Sequence, residues 1–225
     1  MFKRRNKGSL KTAGLCALFL FMLLLHAAFI QTNAVYAQAD SISDSVLRLR
    51  VIANSNSEED QTMKLVFKSR LCEALKPYLT GCDNVDTAAG WIQKHLGFIQ
   101  KQAEQILAGL IPSAGSTAQN TGCTVQFTES TFPVRTYGSL TFPPGNYRTL
   151  LVTLGNGQGH NWWCVLYPSL CFTDETTAAF PEEARTKLQQ TLSEKDYETL
   201  NQGITFRFRI AEILGNLRET LTKNK

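Results

Sequence analysis

An apolar run of 18 residues, 13–30, stands directly behind a basic cluster of Lys3, Arg4, Arg5, Lys7 and Lys11. It is followed by Ala34-Val35-Tyr36-Ala37-Gln38-Ala39, a stretch of small residues at alternating positions. This is the layout of a secretory signal peptide, so residues 1–39 are expected to direct export and to be removed after Ala37 or Ala39. The run also approaches the roughly 20 residues needed to span a bilayer, which leaves an uncleaved N-terminal anchor as the alternative. In both cases the basic flank holds the N-terminus inside and delivers the body outside. Arg4-Arg5 is read as an orienting charge cluster, since the surroundings fit a twin-arginine signal poorly.

Removing the leader changes what the composition means. It holds five of the 23 basic residues and none of the 19 acidic ones, so the body keeps 18 against 19, a net charge of −1. A chain without a concentrated basic surface is a poor candidate for nucleic acid. Residues 40–225 suffice for a single extracytoplasmic domain with its own core. Five cysteines remain in an oxidising compartment: Cys72, Cys82, Cys123, Cys164 and Cys171. At least one is unpaired, and two bridges among five can be drawn fifteen ways, so spacing fixes no connectivity. No CxxC or His-rich spacing is present, and neither metal nor cofactor is expected.

Residues 46–53 alternate Leu47, Leu49 and Val51 with Arg48 and Arg50, the period of a strand with one buried face. Asn54-Ser55-Asn56-Ser57 stops it and offers N-caps, with Ser55 and Glu58 or Ser57 and Asp60 spaced as a capping box. The helix so opened carries Met63, Val66, Phe67, Leu71 and Leu75 and is expected to end before Pro77. A second helix, about 86–108, carries Ile92, Leu96, Ile99, Ala103, Ile106 and Leu110 on one stripe. Residues 112–122 read as a linker.

Strands are then expected over 123–127, 134–142 and 147–154, with a turn at Pro143-Pro144-Gly145-Asn146. Pro181, Glu182 and Glu183 open a third helix reaching about Leu192. The tail reads as a short strand, 204–208, passing into an amphipathic helix from Ile210 to Leu221. The order gives an α+β fold with an antiparallel or mixed sheet and helices packed on one face.

The densest segment is 154–172, LGNGQGHNWWCVLYPSLCF. Gly155-x-Gly157-x-Gly159 after a strand could cradle a phosphate, but that use needs a helix immediately afterwards, and the residues beyond Gly159 are aromatic and β-prone. A tight structural turn is the better reading. Cys164 and His160 could form a nucleophile and base. The rival is a disulfide between Cys164 and Cys171, which export and short separation favour, provided the chain bends at Pro168 to bring their α-carbons within about 7 Å. Free buried thiols are the remaining alternative. His95 is expected on a solvated helix face. Trp162 and Trp163 point to opposite sides of a strand, so one can anchor the core while the other faces a partner; both can also be core.

The blocks LRLRVIANSNSEEDQTMKLVFKSRL (47–71), FPVRTYGSLTFPPGNYRTLLVTLGNGQGHNWWCVLYPSLCF (132–172) and ITFRFRIAEIL (204–214) resemble stage II sporulation protein R of endospore-forming bacteria. The resemblance implies a protein made in the forespore and exported to the space between forespore and mother-cell membranes. There, members activate the membrane aspartic protease that processes the precursor of sigma factor E. The characteristic segments fall on 47–56, Tyr137-Gly138, Pro144-Gly145, Tyr147 and 155–172, and no catalytic residue comes with them.

The expected function is therefore signalling by binding, with no enzymatic activity. The candidates for partner contact are Arg48, Arg50, Asn54, Asn56, Tyr137, Asn161, Trp162 and Trp163, although solvated arginines and a capped turn account for much of this set without any function. The partner is the extracytoplasmic part of a membrane-embedded aspartic protease, and the mature chain is membrane-proximal without being integral. The alternative is an extracytoplasmic thiol hydrolase using Cys164 and His160. A third reading lays the C-terminal helix on lipid, but its polar face mixes Arg209, Glu212, Arg218 and Glu219, which suits core packing better.

Overall fold

The computed structural model describes residues 18–24, 26, 38–110, 122–168 and 182–201. The chain divides into two units, residues 1–41 and 42–225. In the first, residues 18–24 are helical with every side chain exposed. Most of residues 1–39, where a leader is expected, lies outside the described residues, and among those described no helix is long and apolar enough to cross a membrane.

The second unit is built on a four-stranded mixed sheet of order β2-β5-β1-β6. Its strands are β1 (Leu47–Ile52), β2 (Cys123–Phe132), β5 (Gly145–Leu154) and β6 (Asn161–Tyr167). Between β2 and β5 the chain makes a separate two-stranded hairpin, β3 (Arg135–Tyr137) and β4 (Leu140–Phe142), so the expected single strand over 134–142 is broken at Gly138, whose φ is 57°. β1 lies parallel to β5 and antiparallel to β6.

β1 begins and ends close to where its alternation places it. Leu47, Leu49 and Val51 point into a core shared with Leu150, Val152, Cys164 and Leu166, and helices α1 (Glu58–Thr80), α2 (Val85–Lys94) and α3 (Leu96–Ala108) cover that face. Ser57 caps α1, its hydroxyl accepting from the Asp60 N–H at 3.2 Å. The reciprocal half of the box is missing because the Asp60 carboxylate instead accepts from Asn54 Nδ2 at 2.9 Å and Ser55 Oγ at 2.5 Å.

α1 does not stop at Pro77 but continues to Thr80. An interior proline costs about 3 kcal/mol. Beyond it, Leu79 is buried, worth roughly 1.5–3 kcal/mol, and Tyr78 stacks on Trp91 with ring centroids 4.7 Å apart, worth roughly 0.5–1.5 kcal/mol more. Those two contacts offset the proline. The buried row of α1 is Phe67, Leu71, Leu75 and Leu79, with Lys64 and Lys68 laying their stems against the same side, while Val66 is exposed.

The second expected helix is two. His95, at φ −113° and ψ 20°, separates α2 from α3, and its ring stacks on Trp91 while remaining exposed. In α3 the core side chains are Ile99, Ala103 and Leu107, with Ile106 half-buried beside them.

Helices on one face alone do not describe the sheet. Its opposite face carries a second core in which Phe132, Phe142, Tyr147 and Val165 meet α4 (Glu182–Thr191) through Leu188 and α5 (Glu194–Asn201) through Leu200. The reason lies in β1, β5 and β6 themselves: the side chains alternating away from α1–α3 include Tyr147, Trp163 and Val165, apolar surface that water cannot be left to cover. The expected strand at 204–208, the C-terminal amphipathic helix and most of the 112–122 linker lie outside the described residues.

Candidate partner-binding face

Arg48 and Arg50 alternate away from the α1–α3 core onto this second face. Alternation says only that both leave that core, and Arg50 is half-buried. Arg48 is 0 % exposed. Its guanidinium carbon lies 4.4 Å from the Phe132 ring centroid, 5.0 Å from Tyr147, 5.2 Å from Phe142 and 5.6 Å from Tyr137. Hairpin β3–β4 supplies two of these four rings and thereby closes the site.

The polar side of Arg48 is far less complete. Nη2 donates to the Tyr137 hydroxyl at 2.9 Å, while Nε and Nη1 are buried with no hydrogen-bond partner among the described residues. Burial lowers the pKa of Arg48, Tyr137 and Tyr147 oppose that effect, and the like charge of Arg135 adds to it. An arginine starts so far above neutrality that the group stays cationic. Aromatic faces attract a desolvated cation by about 2 kcal/mol or more, which is what holds the charge here in place of a carboxylate.

Trp163 carries the face outward. It stands opposite Arg50 in the β1–β6 register, and the Arg50 guanidinium carbon is 4.6 Å from its ring centroid. Arg135 approaches the same ring at 5.8 Å, and Phe132 meets it edge-on at 4.6 Å. Arg50 Nε donates to Asn161 Oδ1 at 2.9 Å, and the Tyr137 hydroxyl donates to the Trp163 carbonyl at 2.8 Å. Thus Arg48, Arg50, Tyr137, Asn161 and Trp163 form one cluster. Arg135 belongs to it and is legible in the Arg135-x-Tyr137 spacing, which puts both on one side of a strand. Arg148 pairs with Asp86 at 2.7 Å elsewhere on the surface, whereas Arg48, Arg50 and Arg135 face no carboxylate among the described residues.

Asn54 and Asn56 lie in a different place and do different work. Because β5 and β6 flank β1, the connection 155–160 must cross the end of β1 where it turns into α1. Asn54 Oδ1 accepts from the Asn156 N–H at 2.9 Å, and Asn56 Oδ1 accepts from the His160 N–H at 2.8 Å. The Gly159 N–H donates to the Ala53 carbonyl at 2.9 Å and the Gln158 N–H to the Asn54 carbonyl at 3.0 Å. A β-carbon on Gly155 would collide with Asn54 Oδ1, and one on Gly159 with the Ser55 carbonyl. The glycine run is therefore a backbone crossing, and the two asparagines are its clasps.

Trp162 turns the other way, toward α1, with Lys68 Nζ 4.2 Å from its ring centroid and its indole N–H buried with no partner among the described residues. Cys164 shares that side and is 3 % exposed among aliphatic residues. His160 is exposed four residues earlier, roughly 13 Å away along an extended chain. No thiol–imidazole pair is assembled there. Cys171 lies outside the described residues, and Cys72, Cys82 and Cys123 are free thiols. Among the described residues no group of three or more His, Cys, Asp or Glu could hold a metal ion.

Residues 43–177 match the family model described as stage II sporulation protein R. The stage II sporulation protein R of Bacillus subtilis (strain 168) is 30 % identical over 200 residues, spanning 87 % of this chain and 84 % of that protein. No solved structure matches the chain.

Proposed function

The chain belongs to the stage II sporulation protein R family, and from that premise we propose that it is an exported signal which binds and activates the membrane aspartic protease processing the sigma factor E precursor. Its leader delivers it to the space between forespore and mother-cell membranes, and it acts there by contact, without chemistry of its own. The carrying observation is the cluster of Arg48, Arg50, Arg135, Tyr137 and Trp163 on one face. Tryptophan, tyrosine and arginine are the residues that dominate binding energy at protein interfaces.

Activation needs only that the chain bind the active form of the protease better than the inactive one. A ~100-fold preference corresponds to about 2.7 kcal/mol, within what a few such contacts supply. The thiol-hydrolase alternative is disfavoured by the burial of Cys164 and its distance from His160. A bridge between Cys164 and Cys171 is part of the proposal, supported by Cys164 being unavailable as a free thiol while Cys72, Cys82 and Cys123 are free.

The test adds the chain recovered after export to the outside of vesicles carrying the protease and the precursor. Binding and faster precursor cleavage are expected, with both retained in Cys164→Ala that has been checked for folding. Absence of both binding and altered cleavage with the wild-type chain would overturn the proposal.

A further inference from the structure

Three guanidinium groups on one face with no facing carboxylate among the described residues are an unusual arrangement, and their surroundings sharpen it. Arg50 and Arg135 converge on the ring of Trp163, where each is attracted to the π-face while repelling the other. Arg48 lies beneath, wholly buried, with Nε and Nη1 unpartnered among the described residues, and Arg135 Nε is likewise buried without a partner among them. A buried polar hydrogen left unpaired is destabilising, and more so when the group is charged. A protein that merely needed apolar filling at position 48 would gain by a leucine or methionine. The arrangement instead holds positive potential under an aromatic platform, where an arriving anion meets planar forks suited to two-oxygen contact.

We propose that Arg50, Arg135 and Trp163 form a receptor for an acidic peptide segment of the partner protein, with Arg48 supplying charge from below. Side-chain carboxylates of that segment take up the free guanidinium hydrogens of Arg50 and Arg135, and its backbone lies against the Trp163 ring. The charge complementarity selects the occupant: a basic or neutral segment would leave three cations facing one another, and nucleic acid would require a broader basic surface than a body of net charge −1 presents. This inference rests on the reading of the chain as a protein-binding activator and names the chemistry of the surface it binds.

The test uses the exported chain and two probes: a short peptide alternating glutamate and glycine, and the same peptide with glutamine for glutamate. The side-chain Nε–H signals of Arg50 and Arg135 and the indole N–H of Trp163 are followed by NMR during titration. Saturable shifts with the glutamate peptide alone are expected, with binding, read at the Trp163 indole N–H that every variant keeps, weakened at least ~10-fold in Arg50→Gln/Arg135→Gln and unchanged in Arg70→Gln on α1. If the double variant does not fold, Arg135→Gln on the hairpin carries the same comparison. Equal shifts with the glutamine peptide, or with inorganic phosphate at matched ionic strength, overturn the inference.

A second arm separates it from the broader reading by measuring binding to protease-bearing vesicles. If the wild-type chain binds and the folded double variant binds equally well, the acidic-segment receptor is wrong and the activator reading stands. If the glutamate peptide binds as expected but the wild-type chain ignores the protease, the receptor stands and that partner is wrong.

Discussion

Arg48 donates to the Tyr137 hydroxyl at 2.9 Å, and that hydroxyl donates in turn to the Trp163 carbonyl at 2.8 Å. One phenol thus ties the buried cation of β1 to the backbone of β6 through hairpin β3–β4. Removing it leaves the cation with no hydrogen bond among the described residues, whereas removing the cation leaves only a phenol that still has its carbonyl.

Tyr137→Phe should therefore destabilise the chain by about 1–3 kcal/mol, the cost of stranding a buried polar group. Arg48→Met, similar in length and free of charge, should be close to neutral or stabilising, since uncharged replacements of buried ions often are. Urea unfolding of both variants checks the order; a less stable Arg48→Met than Tyr137→Phe would contradict it.

The glycine crossing gives a second contrast. Gly159→Ala places a methyl group against the Ser55 carbonyl, a backbone atom that cannot swing aside, and should cost about 1–3 kcal/mol. Gly90→Ala, inside α2 with open space around it, should add roughly 0.5–1 kcal/mol. Paired thermal melts read both signs.

Much of this arrangement is legible in the sequence. The alternation of Leu47, Leu49 and Val51 locates β1, Ser57 stands where a cap is needed, and the adjacent tryptophans straddle a sheet as neighbours on a strand must. The burial of Arg48 is not legible, because alternation only says that a side chain points away from one core. Whether the other side is water or protein depends on β3–β4, α4 and α5, which arrive from up to about a hundred and fifty residues later. The partners of Asn54 and Asn56 are hidden for the same reason: the loop they hold is 102 and 104 positions away in the chain. Pro77 marks an end that α1 does not obey, because local propensity leaves out the burial of Leu79.

Thiol reactivity should separate the three free cysteines among the described residues. Burial pushes the Cys72 thiol up to about 12 and Cys123 up to about 11, so at pH 8 roughly one in ten thousand and one in a thousand are thiolate. Cys82 is only half-buried at the end of α1. Brief alkylation of the native chain followed by peptide mass analysis should find Cys82 labelled first, with Cys72 and Cys123 reacting only after denaturation. Early labelling of Cys72 would mean that the α1 face opens readily.

Alkaline conditions should unfold the chain through the same groups. Burial raises Cys72 from 9.0 to about 12, Cys123 from 9.0 to about 11 and Tyr147 from 10.0 to about 12, and it raises Tyr137 as well. Each is an acid that is neutral when protonated, so a raised folded value means the unfolded chain releases its proton first. Between pH 9 and 12 the unfolded state then binds fewer protons, and stability falls as pH rises. The stabilisation is complete below about pH 9 and is lost as pH climbs through 11 to 12. Cys72→Ala should remove part of that slope without touching stability's pH dependence at neutrality, and Tyr147→Phe should remove another part at the expense of the hydroxyl's bond to the Pro143 carbonyl at 2.6 Å. Chemical denaturation at a series of pH values measures the slope directly. A stability profile flat from pH 8 to 11 would show that these groups do not titrate with the values their burial implies.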